Sequence, residues 1–367
     1  DMFGDAPCSQ AALVDENGSP VYLTPKMDKQ EEIYTQAMQY LDDAIADLQK
    51  EDLIDPGAQD LLYQGDAEKW LKLAYGLKAR YTMHLLKRSA NKDADMEKVL
   101  EYVDNSFESA EEQAAFDVYD ANNINPLYGF FVARAGLGAS ESMRSKLAEY
   151  NDPRLSRAFI TKQGASGKEQ APGTADNAVY APNGSPEQGT SKYGTSLFMY
   201  SISAPTLLLS YHELKFLEAE ALCRLGRDAK SALKDAVVAG LLNAENSFSV
   251  SRKELGKTLI NPASSITDTE AESYFDNTIE AKYTAEPLKT TMIQKYFALW
   301  GASGEATESY NDVRRMKGLG ENFIELKNPN SFPLRCPYGN SDTTTNAEVK
   351  AAYGNGQYVY SENVWWA

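Results

Sequence analysis

Histidine is almost absent from this chain: two occur in 367 residues, His84 and His212. Both fall in helical stretches far apart in sequence, which excludes a histidine metal cluster or a Ser–His–Asp arrangement as the basis of function. Cysteine is scarce too, with Cys8, Cys223 and Cys336 an odd number lacking metal-ligand spacing. Cys223 reads as a small core residue inside a helix. Cys8 follows Asp5-Ala6-Pro7, without the apolar stretch and small residues that precede a bacterial lipid-attachment cysteine. No metal and no cofactor is expected. Apolar runs near the roughly 20 residues that span a bilayer are missing. Positive charge is in deficit: 36 Lys and Arg against 53 Asp and Glu leave a net charge of −17. That balance argues against nucleic acid as a partner and against direct docking on an anionic lipid surface.

What is present is a folded globular composition, 43% hydrophobic, long enough for a large core. The stretch Leu207–Val238 organises it. Leu214, Leu217, Ala221 and Leu225 fall at the three-and-four spacing of one helix face. Gly226 supplies a turn, and Ala229, Ala232, Leu233, Ala236 and Val237 line a second helix. Small alanines let two antiparallel helices approach closely, the design of a tetratricopeptide-type hairpin; an ordinary hairpin in a larger bundle reads the same way. Further helices are predicted over Lys29–Lys50 (with Ile33, Ala37, Leu41, Ala44, Ile45 and Leu48 as a buried stripe), Ala67–Ser89, Met96–Ser109, Ser140–Tyr150, Pro287–Trp300 and Glu305–Lys317. The fold expected is mainly α, a single domain over 1–367. Its scaffold would be 29–110 and 205–320, with loop-rich insertions at 111–204 and 241–286, the latter carrying a capping-like Ser251-Arg252-Lys253-Glu254. Residues 328–367 would clamp back through Trp365 and Trp366, each able to bury roughly 150–250 Å².

Two stretches carry candidate binding residues. In Phe116–Phe131, Asp120, Asn122 and Asn123 briefly resemble a calcium loop, but Ile124 stands where a ligand oxygen is needed. The same amides beside Tyr119 and Tyr128 suit hydrogen bonding and stacking on a polar ligand; a plain helix-to-loop junction is the alternative. Residues 161–195 are rich in Gly, Pro, Ser, Asn and Gln, and ordered loops of this size are often functional. Tyr180, Asn183 and Tyr193 lie in it, and Tyr200 follows.

Taken together, several separated motifs resemble one family, the SusD/RagB-like outer-membrane lipoproteins, and within it the branch with a Val-Trp-Trp tail. They are Phe3-Gly4-Asp5-Ala6-Pro7-Cys8-Ser9-Gln10-Ala11, the helix entry Pro25 to Tyr34, and Gly65-Asp66 through Trp70 with Leu77-Lys78-Ala79-Arg80. Asp152-Pro153-Arg154, Glu218-Ala219-Glu220-Ala221, Gln294-Lys295-Tyr296 and Arg314-Arg315 also fit, as do Pro337-Tyr338 with Asn346, and Val364-Trp365-Trp366. Cys8 in place of tyrosine and Ala367 in place of aspartate are departures.

The resemblance implies a tetratricopeptide-like helical superhelix whose irregular loops hold a ligand site. It implies a binding protein rather than an enzyme, one that captures a glycan on the cell surface for a partner SusC-like, TonB-dependent outer-membrane transporter. It also implies a lipid anchor on an N-terminal cysteine that this chain does not contain. On that reading Tyr180, Tyr193 and Tyr200 would stack on sugar rings with Asn183 hydrogen-bonding, and Tyr119, Asn122, Asn123 and Tyr128 would form a second cluster. The 22 tyrosines are consistent with such use. A peptide-binding lid and a purely protein-binding scaffold are the alternatives. A two-carboxylate glycosidase finds no recognisable active-site segment.

Overall fold

The computed structural model describes residues 1–51, 54–134, 137–161, 179–184, 193–301, 304–354, 356 and 358–367. Its centre is the predicted hairpin. Helix α7 (Tyr211–Arg224) and helix α8 (Lys230–Leu255) pack side by side. Gly226 turns between them at φ +68°, a conformation a side chain would strain. Leu207–Leu209, at the head of the stretch, belong to a short strand. Ser210 then caps α7, its Oγ accepting the Glu213 amide at 3.1 Å.

Both faces of α7 are buried, and this makes it the middle layer. Leu214, Leu217 and Ala221 join a core with helices α2 (Ala67–His84) and α3 (Lys92–Asp104). Phe216 and Ala219 join the larger core with α8 and helix α11 (Pro287–Ala298). Helix α12 (Ala306–Gly318) lies beside α2, and helix α1 (Gln30–Leu48) packs on α2 at the edge. In α1 the expected stripe is only half-buried; Gln30 and Tyr34 are its buried residues. One packed neighbour is not enough to cover a helix face completely.

Residues 241–286 are far more helical than the sequence suggested. Helix α8 continues unbroken to Leu255, helix α9 spans Asp268–Tyr274 and helix α10 Glu280–Ala285. Gly240 does not break α8. A methyl group there would meet the Ala298 Cβ at 2.9 Å, so the glycine lets α8 and α11 touch. Ser251 is not a cap but an interior residue of α8, with its hydroxyl 2.7 Å from both Ser201 Oγ and the Leu197 carbonyl.

The ligand-side segment carries helices α4 (Pro126–Arg134), α5 (Glu141–Glu149) and α6 (Leu155–Ala158). It also carries two antiparallel pairs: strand β1 (Ala114–Phe116) with β4 (Thr206–Leu209), and strand β2 (Phe159–Ile160) with β3 (Thr195–Ser196). The C-terminal tail returns to the scaffold. Trp366 is 0% exposed, stacks on His84 at 5.2 Å, and has the Arg314 guanidinium 4.8 Å from its ring centroid.

A seam of buried charge runs through the scaffold. Arg80 meets Glu213 at 2.8 Å, Arg315 meets Glu220 at 2.8 Å and Asp312 at 2.7 Å, and Lys295 meets Asp312 at 2.8 Å. His84 lies 2.8 Å from Glu308. Each partner comes from a different helix or the next turn, so these pairs fix how the helices cross.

Candidate ligand cleft

Helix α5 forms one wall of a hollow of about 910 Å³. Its N-cap Ser140 holds the wall in place. Ser140 Oγ donates to Asn183 Oδ1 at 2.9 Å, and backbone bonds from Ala181 N to Ala139 O (2.8 Å) and Glu141 N to Ala181 O (3.0 Å) strap residues 179–183 to the helix start. Met143 and Leu147 bury the underside of α5, which leaves Ser142, Ser145, Lys146 and Glu149 lining the hollow. Asn151, at φ +49°, ends the helix and leaves Tyr150 at the cleft edge.

The opposite wall is α10 and α11. Arg154 links the walls: it pairs with Asp152 at 2.6 Å and donates to the Phe297 carbonyl at 2.7 Å. The Tyr150 ring lies edge-on to Phe297 at 5.3 Å, with the Lys282 ammonium 4.5 Å from its centroid. Burial pushes the Tyr150 hydroxyl above its ordinary range and lowers the Lys146 ammonium. Lys289 is neutralised by Glu286 at 2.9 Å and Lys327 by Glu325. The volume lies within the range of about 300–1,000 Å³ usual for ligand pockets, and an aromatic ring with a few converging polar groups is the usual lining.

Of the residues singled out from sequence, Asn183 alone lines this cleft. Tyr180 sits behind it, edge-on to Phe159 at 5.3 Å with the Arg144 guanidinium 5.3 Å from its ring. Tyr193 is 5% exposed and belongs to the interior. Its neighbour Gly194 bonds through the backbone to Ala139 and Val179, each at 2.8 Å, which draws the segment inward. Positions 162–178 and 185–192 of the candidate loop lie outside the described residues.

Tyr200 falls with the second cluster instead, edge-on to Phe131 at 5.1 Å. There Tyr119 shares a 2.8 Å hydrogen bond with Thr206, and Tyr128 donates to Glu254 at 3.2 Å. Asp120 Oδ1 accepts the amides of Asn122 (2.8 Å) and Asn123 (2.7 Å), and Asn123 Nδ2 donates to the Val118 carbonyl at 3.1 Å. Much of this cluster's polar capacity is therefore spent on its own turn. Lys146, Tyr150 and Lys282 escaped the sequence reading, because amphipathic spacing marks them only as an outer helix face.

The comparisons with known proteins agree with this architecture. A family model described as starch-binding and associating with the outer membrane, SusD-like, matches residues 1–338. The chain belongs to the SusD-like family. A SusD/RagB family protein of Bacteroides thetaiotaomicron is 66% identical, with a TM-score of 0.93; the match covers 100% of this chain and 76% of that one. A chitin-binding protein at 22% identity (TM-score 0.70, 100% and 77% covered) and a SusD homologue of Bacteroides fragilis at 20% (TM-score 0.72, 99% and 78% covered) share the fold. Among curated proteins, none matches. Members of the SusD/RagB family are binding proteins, not enzymes. No helix among the described residues of this SusD-like protein is long and apolar enough to cross a membrane.

Proposed function

We propose that this SusD-like protein captures an oligo- or polysaccharide at the cell surface and delivers it to a SusC-like, TonB-dependent outer-membrane transporter. A lipidated cysteine ahead of the present segment would hold it there. The observation that carries the reading is the family match over residues 1–338, whose description joins starch binding to the outer membrane. The cleft supports it: the Tyr150 ring offers an apolar edge, and Asn183, Ser145 and Lys146 offer hydrogen-bond donors of the kind sugar hydroxyls use. Tyr180 and Tyr193 would then act behind the cleft, while Tyr119, Asn122, Asn123, Tyr128 and Tyr200 remain a second candidate surface.

Native electrophoresis through gels containing starch, glycol chitin, pectin or mucin tests the reading. Retardation by at least one polysaccharide, relieved by Asn183→Ala, is the expected result. Migration unaltered in every gel, together with capture of peptides from a peptide mixture, would replace the glycan by a peptide.

A further inference from the structure

The 910 Å³ cleft holds an imbalance that its residue count conceals. Two of its lysines, Lys289 and Lys327, are matched by Glu286 and Glu325. The other two are not. Lys146 Nζ donates to a neutral group, Ser142 Oγ, at 2.7 Å, and Lys282 Nζ lies over the face of Tyr150 at 4.5 Å. Neither makes an ion pair with a carboxylate among the described residues. Both side chains are half-buried, whereas the cleft's remaining acids, Glu141 and Glu149, are exposed at its rim. Water and salt screen the rim charges more than the interior ones. The cleft therefore holds two half-buried ammonium groups outside ion-pair contact, in a protein of net charge −17.

Two donors there are left for a ligand. Ser140 occupies Asn183 Oδ1, which leaves the Asn183 amide NH₂ to donate, and Lys146 has used one of its three N–H groups on Ser142. A half-desolvated ammonium without a carboxylate at ion-pair distance is costly, and an incoming anion that makes that contact removes the cost.

We infer that the cleft selects a saccharide carrying anionic groups, with Lys146 and Lys282 meeting the acid and Asn183 an adjacent oxygen. This rests on the glycan-binding reading above and names the class of glycan. The lowered proton affinity of Lys146 is consistent with an ammonium awaiting a partner.

Isothermal titration of the protein with three probes of matched length decides the point: oligogalacturonides, sulfated carrageenan oligosaccharides and neutral maltooligosaccharides. Tighter binding of either anionic probe than of the neutral one, weakening with added salt, is expected; which of the two wins separates carboxylate from sulfate. Lys146→Gln and Lys282→Gln should each weaken the anionic probe about tenfold, whereas Lys327→Gln, whose charge Glu325 already meets, should change it less than about twofold. Equal affinity for neutral and anionic probes would overturn the inference and leave the glycan reading standing. No binding of any probe would overturn the inference, and the gel series above then decides the glycan reading separately. Circular dichroism of each variant confirms that it is folded before its titration is read.

Discussion

The helical scaffold and the ligand cleft treat buried charge in opposite ways. In the scaffold, Glu213, Glu220 and Asp312 are met by Arg80, Arg315 and Lys295 within hydrogen-bond distance. In the cleft, Lys146 and Lys282 rest on a hydroxyl and an aromatic ring. Matched charges in a low-dielectric interior hold helices in one register, and nothing is left over for a ligand. Unmatched charges hold nothing together but keep their full capacity to bind. The contrast separates residues that build the protein from residues that serve it, and it can be tested at either end.

The largest effect belongs to the scaffold. Arg315 is 0% exposed and pairs with Glu220 and Asp312. Arg315→Met leaves Glu220 with Arg224 alone and Asp312 with Lys295 alone, and breaking a buried charge network from one side costs up to about 3–5 kcal/mol. Urea unfolding should show that loss. Adding Glu220→Leu to it should recover part of the stability, because a buried carboxylate that has lost one of its two cations is gone while Arg224 keeps Glu321. A single variant as stable as the parent would mean that the seam is dispensable.

The scaffold also sets the response to acid. Burial holds His212 down to about 4 from its ordinary 6.5. The folded protein therefore keeps this ring neutral while the unfolded chain protonates it. The associated stability is complete above pH 6.5 and is lost as pH falls from 6.5 through about 4, a change of about 3 kcal/mol. Glu308 acts in a lower window. Burial alone would raise its carboxyl, but the charge and hydrogen bond of His84 overcome this and hold it at about 2 against an ordinary 4.5. Its contribution is present above pH 4.5 and is lost as pH falls through about 2. Thermal unfolding between pH 7 and 4 should show the first loss, and His212→Gln should flatten it. An unchanged slope in that variant would remove His212 as the cause.

This difference also explains which parts were legible from sequence. The α7–α8 hairpin was, because Leu214, Leu217 and Ala221 on one helix and Ala232, Leu233 and Ala236 on the next are local patterns that burial then enforces. The tail was too, since two adjacent tryptophans need covering, and Trp366 is covered. Ser251 misled, because a serine before Glu254 reads as a cap; only its hydrogen bonding to Leu197 inside α8 shows otherwise. The cleft was least legible. Asn183 was reached through loop composition, but Tyr150 and Lys282 meet across more than a hundred residues through the packing of α5 against α10 and α11. Tyr193 looked like a stacking ring until the backbone of Gly194 drew it inside. Side-chain chemistry can be read locally; convergence cannot.

The smallest effect offers the sharpest contrast, since it compares one residue type in two settings. Asn183 has its carbonyl oxygen engaged by Ser140 and its amide NH₂ left for the cleft. Asn123 has spent its own NH₂ on the Val118 carbonyl. A neutral hydrogen bond contributes about 0.5–1.5 kcal/mol, so Asn183→Ala should weaken glycan binding by about threefold to tenfold. Asn123→Ala should leave affinity unchanged and loosen its own loop, seen as faster hydrogen exchange around Val118. The reverse pattern, with binding lost at Asn123 and retained at Asn183, would move the ligand from the α5 cleft to the surface of Tyr119, Tyr128 and Tyr200. The unmatched lysines would then need another explanation, because a ligand on that surface would leave Lys146 and Lys282 with the same uncompensated charge.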